Sequence, residues 1–384
     1  MNPIFTQLPT TIFTVISGLA REHGAVNLGQ GFPDDPGPED VRAKAAEALL
    51  SGYNQYPPMT GLPELREAVA AHYARFQGLE VAPNEVLVTS GATEALAASL
   101  LALVSAGDEV VLFQPMYDAY LPMVRLAGGI PRFVDLKPPN WRLTREALEA
   151  VFSPRTRVVV FNNPLNPAAR MFDAEETALL AEYCVRFDAI AVCDEVWEHV
   201  VFDGRAHRPL IAEPGMRERT VKIGSAGKIF SMTGWKVGFA CAAPLLIEVI
   251  GKAHQFLTFT TPPNLQSAVA YGLGKDAAYF AGMRADFQRS RDRLAAGLAA
   301  EGFKVLPSEG AYFLCIDLPA SGIGMDDATF CLRAVREAGV GAIPVSAFYE
   351  ERPVTTVARL CFAKHDATLD AGIERLARAR RMFA

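Results

Sequence analysis

The run Gly224-Ser225-Ala226-Gly227-Lys228-Ile229-Phe230-Ser231-Met232-Thr233-Gly234-Trp235-Lys236-Val237-Gly238 sets a lysine among small residues and hydroxyls, directly after an apolar stretch. Glycine lets a backbone or a ligand approach closely. A nearby cation, Lys236, and removal from water would both lower the pKa of the Lys228 amine. A neutral amine attacks an aldehyde, so a covalent cofactor lysine is expected here; pairing with a surface acid is the plainer reading. The run is not an ATP-cradling loop, because Ile229 follows Lys228 where such a loop needs Ser or Thr.

Other residues with chemistry to offer stand at the ends of apolar runs. Asp194 follows Ala189-Ile190-Ala191-Val192-Cys193. A carboxylate there is costly unless it meets a cation or strong donor, such as a protonated heterocycle nitrogen; capping or pairing within Asp194-Glu195 is the alternative. Thr89-Ser90-Gly91-Ala92-Thr93 opens a helix with backbone donors and hydroxyls that suit an anion, or with an ordinary Ser/Thr cap. Asn162-Asn163-Pro164-Leu165-Asn166-Pro167 offers three amides between proline-fixed turns, and part of it is structural. Arg359 interrupts the apolar Val357-Ala358-Arg359-Leu360-Cys361-Phe362 with a planar, bidentate donor that suits a carboxylate, a ligand's or an interdomain partner's.

These residues must be positioned by alternating strands and helices. Strands are predicted at 85–89, 108–113, 157–161, 189–193, 221–224 and 237–241, with helical runs such as 92–104 between most of them. That alternation favours a largely parallel sheet covered on both faces, with ligands beyond the carboxyl ends of its strands. After residue 278 the pattern changes to a long charged helix at 279–301, strands at 303–306, 312–317, 340–343 and 357–362, and helices at 326–338 and 368–380. This reads as a smaller mixed domain. Pro3, Pro9 and weak periodicity predict that the first thirty residues form an arm packed elsewhere.

Composition narrows the partners. A chain of 384 residues is long enough for two domains, and with 50% hydrophobic residues but no apolar run of 18 it reads as globular, without a membrane span. The start, Met1-Asn2-Pro3-Ile4-Phe5, lacks a basic segment followed by a long apolar one, so a cytoplasmic location is expected. A net charge of -6 without a basic block argues against a nucleic-acid surface. The six cysteines show neither zinc-pair nor disulfide spacing and read as buried thiols, with no metal expected.

Taken in order, Asn27-Leu28-Gly29-Gln30-Gly31-Phe32-Pro33, Asn54-Gln55-Tyr56, Asp194-Glu195-Val196, the Lys228 run and Arg359-Leu360-Cys361-Phe362 complete the pattern. Over nearly its full length the chain resembles the class I/II aminotransferases of fold type I, which depend on pyridoxal 5'-phosphate. It is especially similar to the subgroup of bacterial methionine aminotransferase and the kynurenine and glutamine transaminases. The resemblance implies an α/β fold with a large, mostly parallel seven-stranded sheet, helices on both faces and a smaller α+β domain. It divides the chain into an N-terminal arm with part of the small domain (1–40), a large cofactor domain (41–280) and a C-terminal small domain (281–384).

By the same resemblance, Lys228 holds the cofactor covalently and later moves the substrate proton, and Asp194 pairs with the ring nitrogen. Gly91, Ala92, Thr93, Ser225 and Lys236 form the phosphate cradle, Tyr117 stacks on the ring, and Asn166 bonds its phenolic oxygen. Arg359 clamps the substrate carboxylate, while Gly31, Phe32 and Asn163 complete the substrate wall. Tyr56 reaches the cofactor phosphate across a homodimer interface. The chain departs from the family at Trp197, where tyrosine is usual, and milder still at Lys236, where many relatives have arginine. The implied reaction moves the α-amino group of a neutral donor (methionine, aromatic, kynurenine or glutamine-like) to a 2-oxo acid. Cysteine-conjugate β-lyase, aspartate or succinyl-diaminopimelate aminotransferase, and a non-catalytic binding protein are the alternatives.

Overall fold

Uninterrupted runs of valine, leucine and isoleucine bury on both faces and so form central strands. In the computed structural model, which describes residues 1–384, seven strands make one sheet in the order Val86–Thr89, Gly238–Cys241, Thr220–Ser225, Ile190–Asp194, Thr156–Asn162, Glu109–Gln114, Ile130–Asp135. Pairing is parallel from Thr220–Ser225 outward to Ile130–Asp135. Gly238–Cys241 runs antiparallel to both its neighbours. Side chains alternate across each strand: Val110, Leu112, Val158, Val160 and Val192 enter one apolar core. Val111, Phe113, Val159, Phe161 and Cys193 enter a second on the other face.

Six of these strands match predicted ones. Ile130–Asp135, the seventh, is an edge strand with mostly half-exposed residues and Pro131 inside it. An edge tolerates proline and leaves one side unburied, which is why its apolar signal is weak.

The C-terminal part carries a four-stranded sheet in the order Ile343–Pro344, Val357–Cys361, Phe313–Asp317, Lys304–Val305. The N-terminal segment belongs with it, because Val26–Asn27 pairs in parallel with Val340–Gly341. Half of the first thirty residues is helical, in Pro3–Thr6 and Ile12–Glu22. Ile12–Glu22 is a helix capped by the Thr11 side chain, and it buries Ile16 and Ala20 one turn apart. No helix is long and apolar enough to cross a membrane. All six cysteines are free and buried.

Register fixes the level of the future site. Asp194 stands beside Asn162 on one strand and Ile223 on the other. Ser225 and Thr89 both stand opposite Gly238. Behind this edge, the fully buried Lys222 places Nζ 2.8 Å from Glu195 and 2.7 Å from Glu198. Burial alone would raise the Glu195 carboxyl, but Lys222 and His207 outweigh it and hold the group at about 2. Pinning Glu195 and Glu198 on this side leaves Asp194 and Trp197 to face the other.

Lys222→Met should therefore strand two buried carboxylates and cost about 3–5 kcal/mol of stability, read by urea unfolding at neutral pH. Because the folded Glu195 value lies below its ordinary 4.5, its stabilising contribution is complete above that value and is lost as pH falls through about 2. A variant as stable as the parent would contradict the pinning role.

Candidate active site

The carboxyl ends of the parallel strands and the turns beyond them enclose a cavity of about 190 Å³. Its lining includes Gly91, Ala92, Thr93, Tyr117, Asn166, Asp194, Trp197, Ser225, Lys228 and Lys236. The fold thus gathers segments from most of the large sheet at one edge, as open α/β sheets do for their ligands.

Asp194 ends its strand with one carboxylate oxygen accepting from the Tyr120 hydroxyl at 2.6 Å. The other oxygen, Oδ1, is buried without a partner. Burial raises the carboxyl pKa, opposed by the Tyr120 hydrogen bond and the Val196 N–H. No salt bridge to a neighbour satisfies it, so the pairing expected of a structural acid falls to Glu195 instead. Lys228 is held in the short turn Ala226–Ile229. Its Nζ donates to the Tyr312 hydroxyl at 3.1 Å and lies 4.6 Å from the Trp197 ring centroid. Burial pushes the amine down to about 8, with Asp194 pulling the other way.

The anion cradle depends on close backbone packing. Helix Gly91–Leu103 begins at Gly91 with φ +77°, a conformation that suits glycine. A Cβ on Gly238 would lie 2.6 Å from the Gly91 carbonyl carbon, so the strand and the helix start can meet only through glycine. Lys236 lies against the same turn, its Nζ 3.1 Å from where a Gly91 Cβ would be. The first N–H groups of a helix lack partners inside it, and here they share the cavity with the Thr93 and Ser225 side chains.

Arg359 is buried in the middle of Val357–Cys361, beside Cys315 on one strand and Ile343 on the other. Nη1 donates to Asn166 Oδ1 at 2.8 Å and Nη2 to the Gly29 carbonyl at 3.0 Å. Nε has no partner, and no carboxylate pairs with the guanidinium. Its carbon lies 4.0 Å from the Phe313 ring and 5.2 Å from those of Phe13 and Phe348. Burial lowers its pKa to about 10. A buried cation without its own anion is the arrangement that takes one from a ligand.

Not every expected residue reaches the cavity. Gly31 stands beside Arg359 with its carbonyl accepting from Tyr312 at 2.7 Å, and a Cβ there would meet Phe313 at 2.9 Å. Phe32 is 42% exposed, its ring 4.9 Å from Lys364 Nζ rather than on the cavity wall. Asn163 is fully buried and accepts from the Phe172 N–H, a turn-stabilising contact. Tyr56 is 79% exposed and packs edge-on against Phe259, outside its own chain's cavity. Trp197 lines the cavity and meets Tyr312 edge-on at 4.2 Å.

Tyr120 and Tyr312 carry site contacts that the sequence pattern does not single out. Tyr120 opens the helix Tyr120–Leu126 three residues after Tyr117, and no sequence signal marks it. Tyr312 immediately precedes the strand Phe313–Asp317 and is brought to Lys228 by the fold alone.

The family model for aminotransferase class I and II matches residues 23–376. The chain belongs to that family. It is 42% identical over 372 residues to methionine aminotransferase from Escherichia coli, covering 96% of each chain. It is 37% identical over 393 residues to human kynurenine–oxoglutarate transaminase 1, covering 93% of each. The solved N-succinyldiaminopimelate aminotransferase of Mycobacterium tuberculosis superposes with a TM-score of 0.95 at 43% identity, over 99% of this chain and 100% of that one. The protein is thus a pyridoxal-phosphate-dependent aminotransferase of fold type I.

The aminotransferase's cavity fits that cofactor on its own chemistry. The unpartnered Asp194 oxygen suits a protonated ring nitrogen. The buried amine of Lys228 suits an aldehyde. A helix N-terminus with two hydroxyls and the Lys236 cation suits a phosphate.

Proposed function

We propose that the α-amino donor is a neutral amino acid, namely methionine or an aromatic, kynurenine or glutamine-like compound, and that a 2-oxo acid accepts the amino group. The observation that carries this reading is the setting of Arg359: one unpaired guanidinium surrounded by Phe13, Phe313 and Phe348. The basic side chains on the cavity wall are Lys228 and Lys236, beside Trp197, Tyr117, Leu96 and Val196. Such a site offers one carboxylate clamp and an apolar surface for the side chain.

In this reading Arg359 binds the substrate α-carboxylate through its planar fork and fixes the donor's orientation. Lys228 and Asp194 would hold the cofactor, Tyr117, Asn166 and Trp197 would line its ring, and Gly91, Ala92, Thr93, Ser225 and Lys236 would take its phosphate. Pyridoxal phosphate, when bound, supplies the electron sink for bond breaking at the α-carbon. Lys228 Nζ takes the α-proton, a task suited to an amine whose pKa lies at about 8. Asp194 would face the protonated ring nitrogen through its unpartnered oxygen, while the Tyr120 hydroxyl holds the other oxygen.

The 41–280 unit carries the cofactor cradle, and the 281–384 unit with residues 1–40 sets Arg359 against its wall at Asn166, with Gly31 beside the guanidinium. The working form in this reading is a homodimer in the cytoplasm. Leu50, Tyr53, Tyr56, Leu245 and Phe256 are each largely exposed, and a second subunit would cover them. That cover would carry Tyr56 toward the partner's phosphate site. Six free thiols favour a reducing compartment.

A panel of donors, each paired with several 2-oxo acids, tests the proposal. Methionine and aromatic donors should exceed aspartate in kcat/KM by about tenfold or more. Strong preference for aspartate with negligible turnover of neutral donors would overturn it. The solved relative from Mycobacterium tuberculosis favours a second reading, N-succinyldiaminopimelate as donor. Preference for that compound over every neutral donor would establish it. Pyruvate and ammonia released without an acceptor would instead mark β-elimination.

A further inference from the structure

Lys228 Nζ hydrogen-bonds the Tyr312 hydroxyl at 3.1 Å. That hydroxyl gives its only proton to the Gly31 carbonyl at 2.7 Å. Toward the lysine it can therefore only accept. One N–H of the amine is held on Tyr312, and the amine lone pair is turned away from it.

Trp197, in the position where the family has tyrosine, offers no oxygen, since indole is a donor only. It packs edge-on to Tyr312 with ring centroids 4.2 Å apart. Gly29, on the same segment as Gly31, accepts from Arg359 Nη2 at 3.0 Å. Two carbonyls of one short segment thus tie the lysine, through Tyr312, to the carboxylate clamp.

We propose that Tyr312 is a positioning residue for the Lys228 amine, providing the phenol oxygen that Trp197 does not and fixing the amine relative to Arg359 through the Gly31 carbonyl. It rests on the reading of Lys228 as the proton-moving lysine. Burial holds the Tyr312 phenol far above its ordinary pKa, so its proton stays in place for Gly31. The other groups acting on the amine are Asp194, Cys361, Arg359 and Lys236, and none of them is removed by changing Tyr312.

Tyr312→Phe keeps the ring against Trp197 and deletes the oxygen. Acylation of Lys228 in the full-length chain freed of cofactor, followed by mass spectrometry across pH, reads the amine's titration. An accepted hydrogen bond favours the ammonium form, so its loss should move the midpoint down by about one pH unit. In the cofactor-loaded enzyme kcat should fall about tenfold, with KM for the donor changed by less than about twofold. If either the midpoint or kcat does not move, the proposal is overturned, and so it is if KM rises along with an unmoved midpoint, the mark of a packing defect. Near-native turnover in Lys228→Ala would instead sink the reading of Lys228, while the titration of Lys228 in the cofactor-free Tyr312→Phe chain stands apart from it.

Discussion

Lys228→Ala should lower transamination by at least about 10⁴-fold, because one substitution removes both the covalent anchor and the general base. The lysine makes no salt bridge, and its sole side-chain hydrogen bond is to Tyr312. Its removal therefore leaves the Gly91 turn, Lys236 and Asp194 in place, and the variant should still bind pyridoxal phosphate noncovalently. Turnover and cofactor content measured on the same preparation separate loss of chemistry from loss of binding. Near-native turnover would remove Lys228 from the mechanism.

Arg359→Met is expected to separate activity from stability. A bidentate contact between a buried guanidinium and a carboxylate is strong, and losing it should cost about 2–5 kcal/mol, about 30-fold to 5×10³-fold in kcat/KM. Yet no acid of the protein pairs with this guanidinium, whose pKa burial has already lowered to about 10. Methionine of similar volume among Phe13, Phe313 and Phe348 removes an unpaired buried charge but frees the Asn166 and Gly29 oxygens, so the melting temperature should change little. This contrasts with Lys222→Met, where a buried ion cluster is broken. A large fall in melting temperature would show that Arg359 serves as an interdomain structural cation, the plainer reading of its place in an apolar strand.

The contrast between Lys222 and Lys228 also shows what the sequence can and cannot disclose. Both lie in or next to the same strand, Thr220–Ser225. Lys228 is marked by its glycines, hydroxyls and second cation, whereas Lys222 looks like an ordinary strand residue until Glu195 and Glu198 are seen around it. Asp194 and Arg359 are legible because each polar group breaks or ends an apolar run, a costly event that asks for a reason, whereas Asn166 stands in a proline-fixed turn four residues beyond its strand and is singled out by the resemblance.

Tyr120 and Tyr312 are not legible in that way. An aromatic residue beside apolar neighbours costs nothing by itself, and its polar end gains meaning only when the fold sets it 2.6 Å from Asp194 or 3.1 Å from Lys228. The same limit applied to elements. Buried strands announce themselves by unbroken apolar runs, while Ile130–Asp135 lies half-exposed at the edge. Ile12–Glu22 was masked by the prolines before it, although its Thr11 cap and the spacing of Ile16 and Ala20 support a helix.

Trp197 ties these threads together. Its sequence position alone left open whether the indole reached the site or turned away; the fold sets it on the cavity wall, against both Tyr312 and the lysine amine. Substituting the usual tyrosine therefore alters the wall beside the amine without altering the cradle or the clamp.

If Lys228 binds the cofactor aldehyde, borohydride reduction of the cofactor-loaded protein, followed by proteolysis and peptide mass mapping, should place the reduced cofactor's mass on Lys228 and nowhere else. Its appearance on Lys236 or on any other lysine, with Lys228 unmodified, would contradict it.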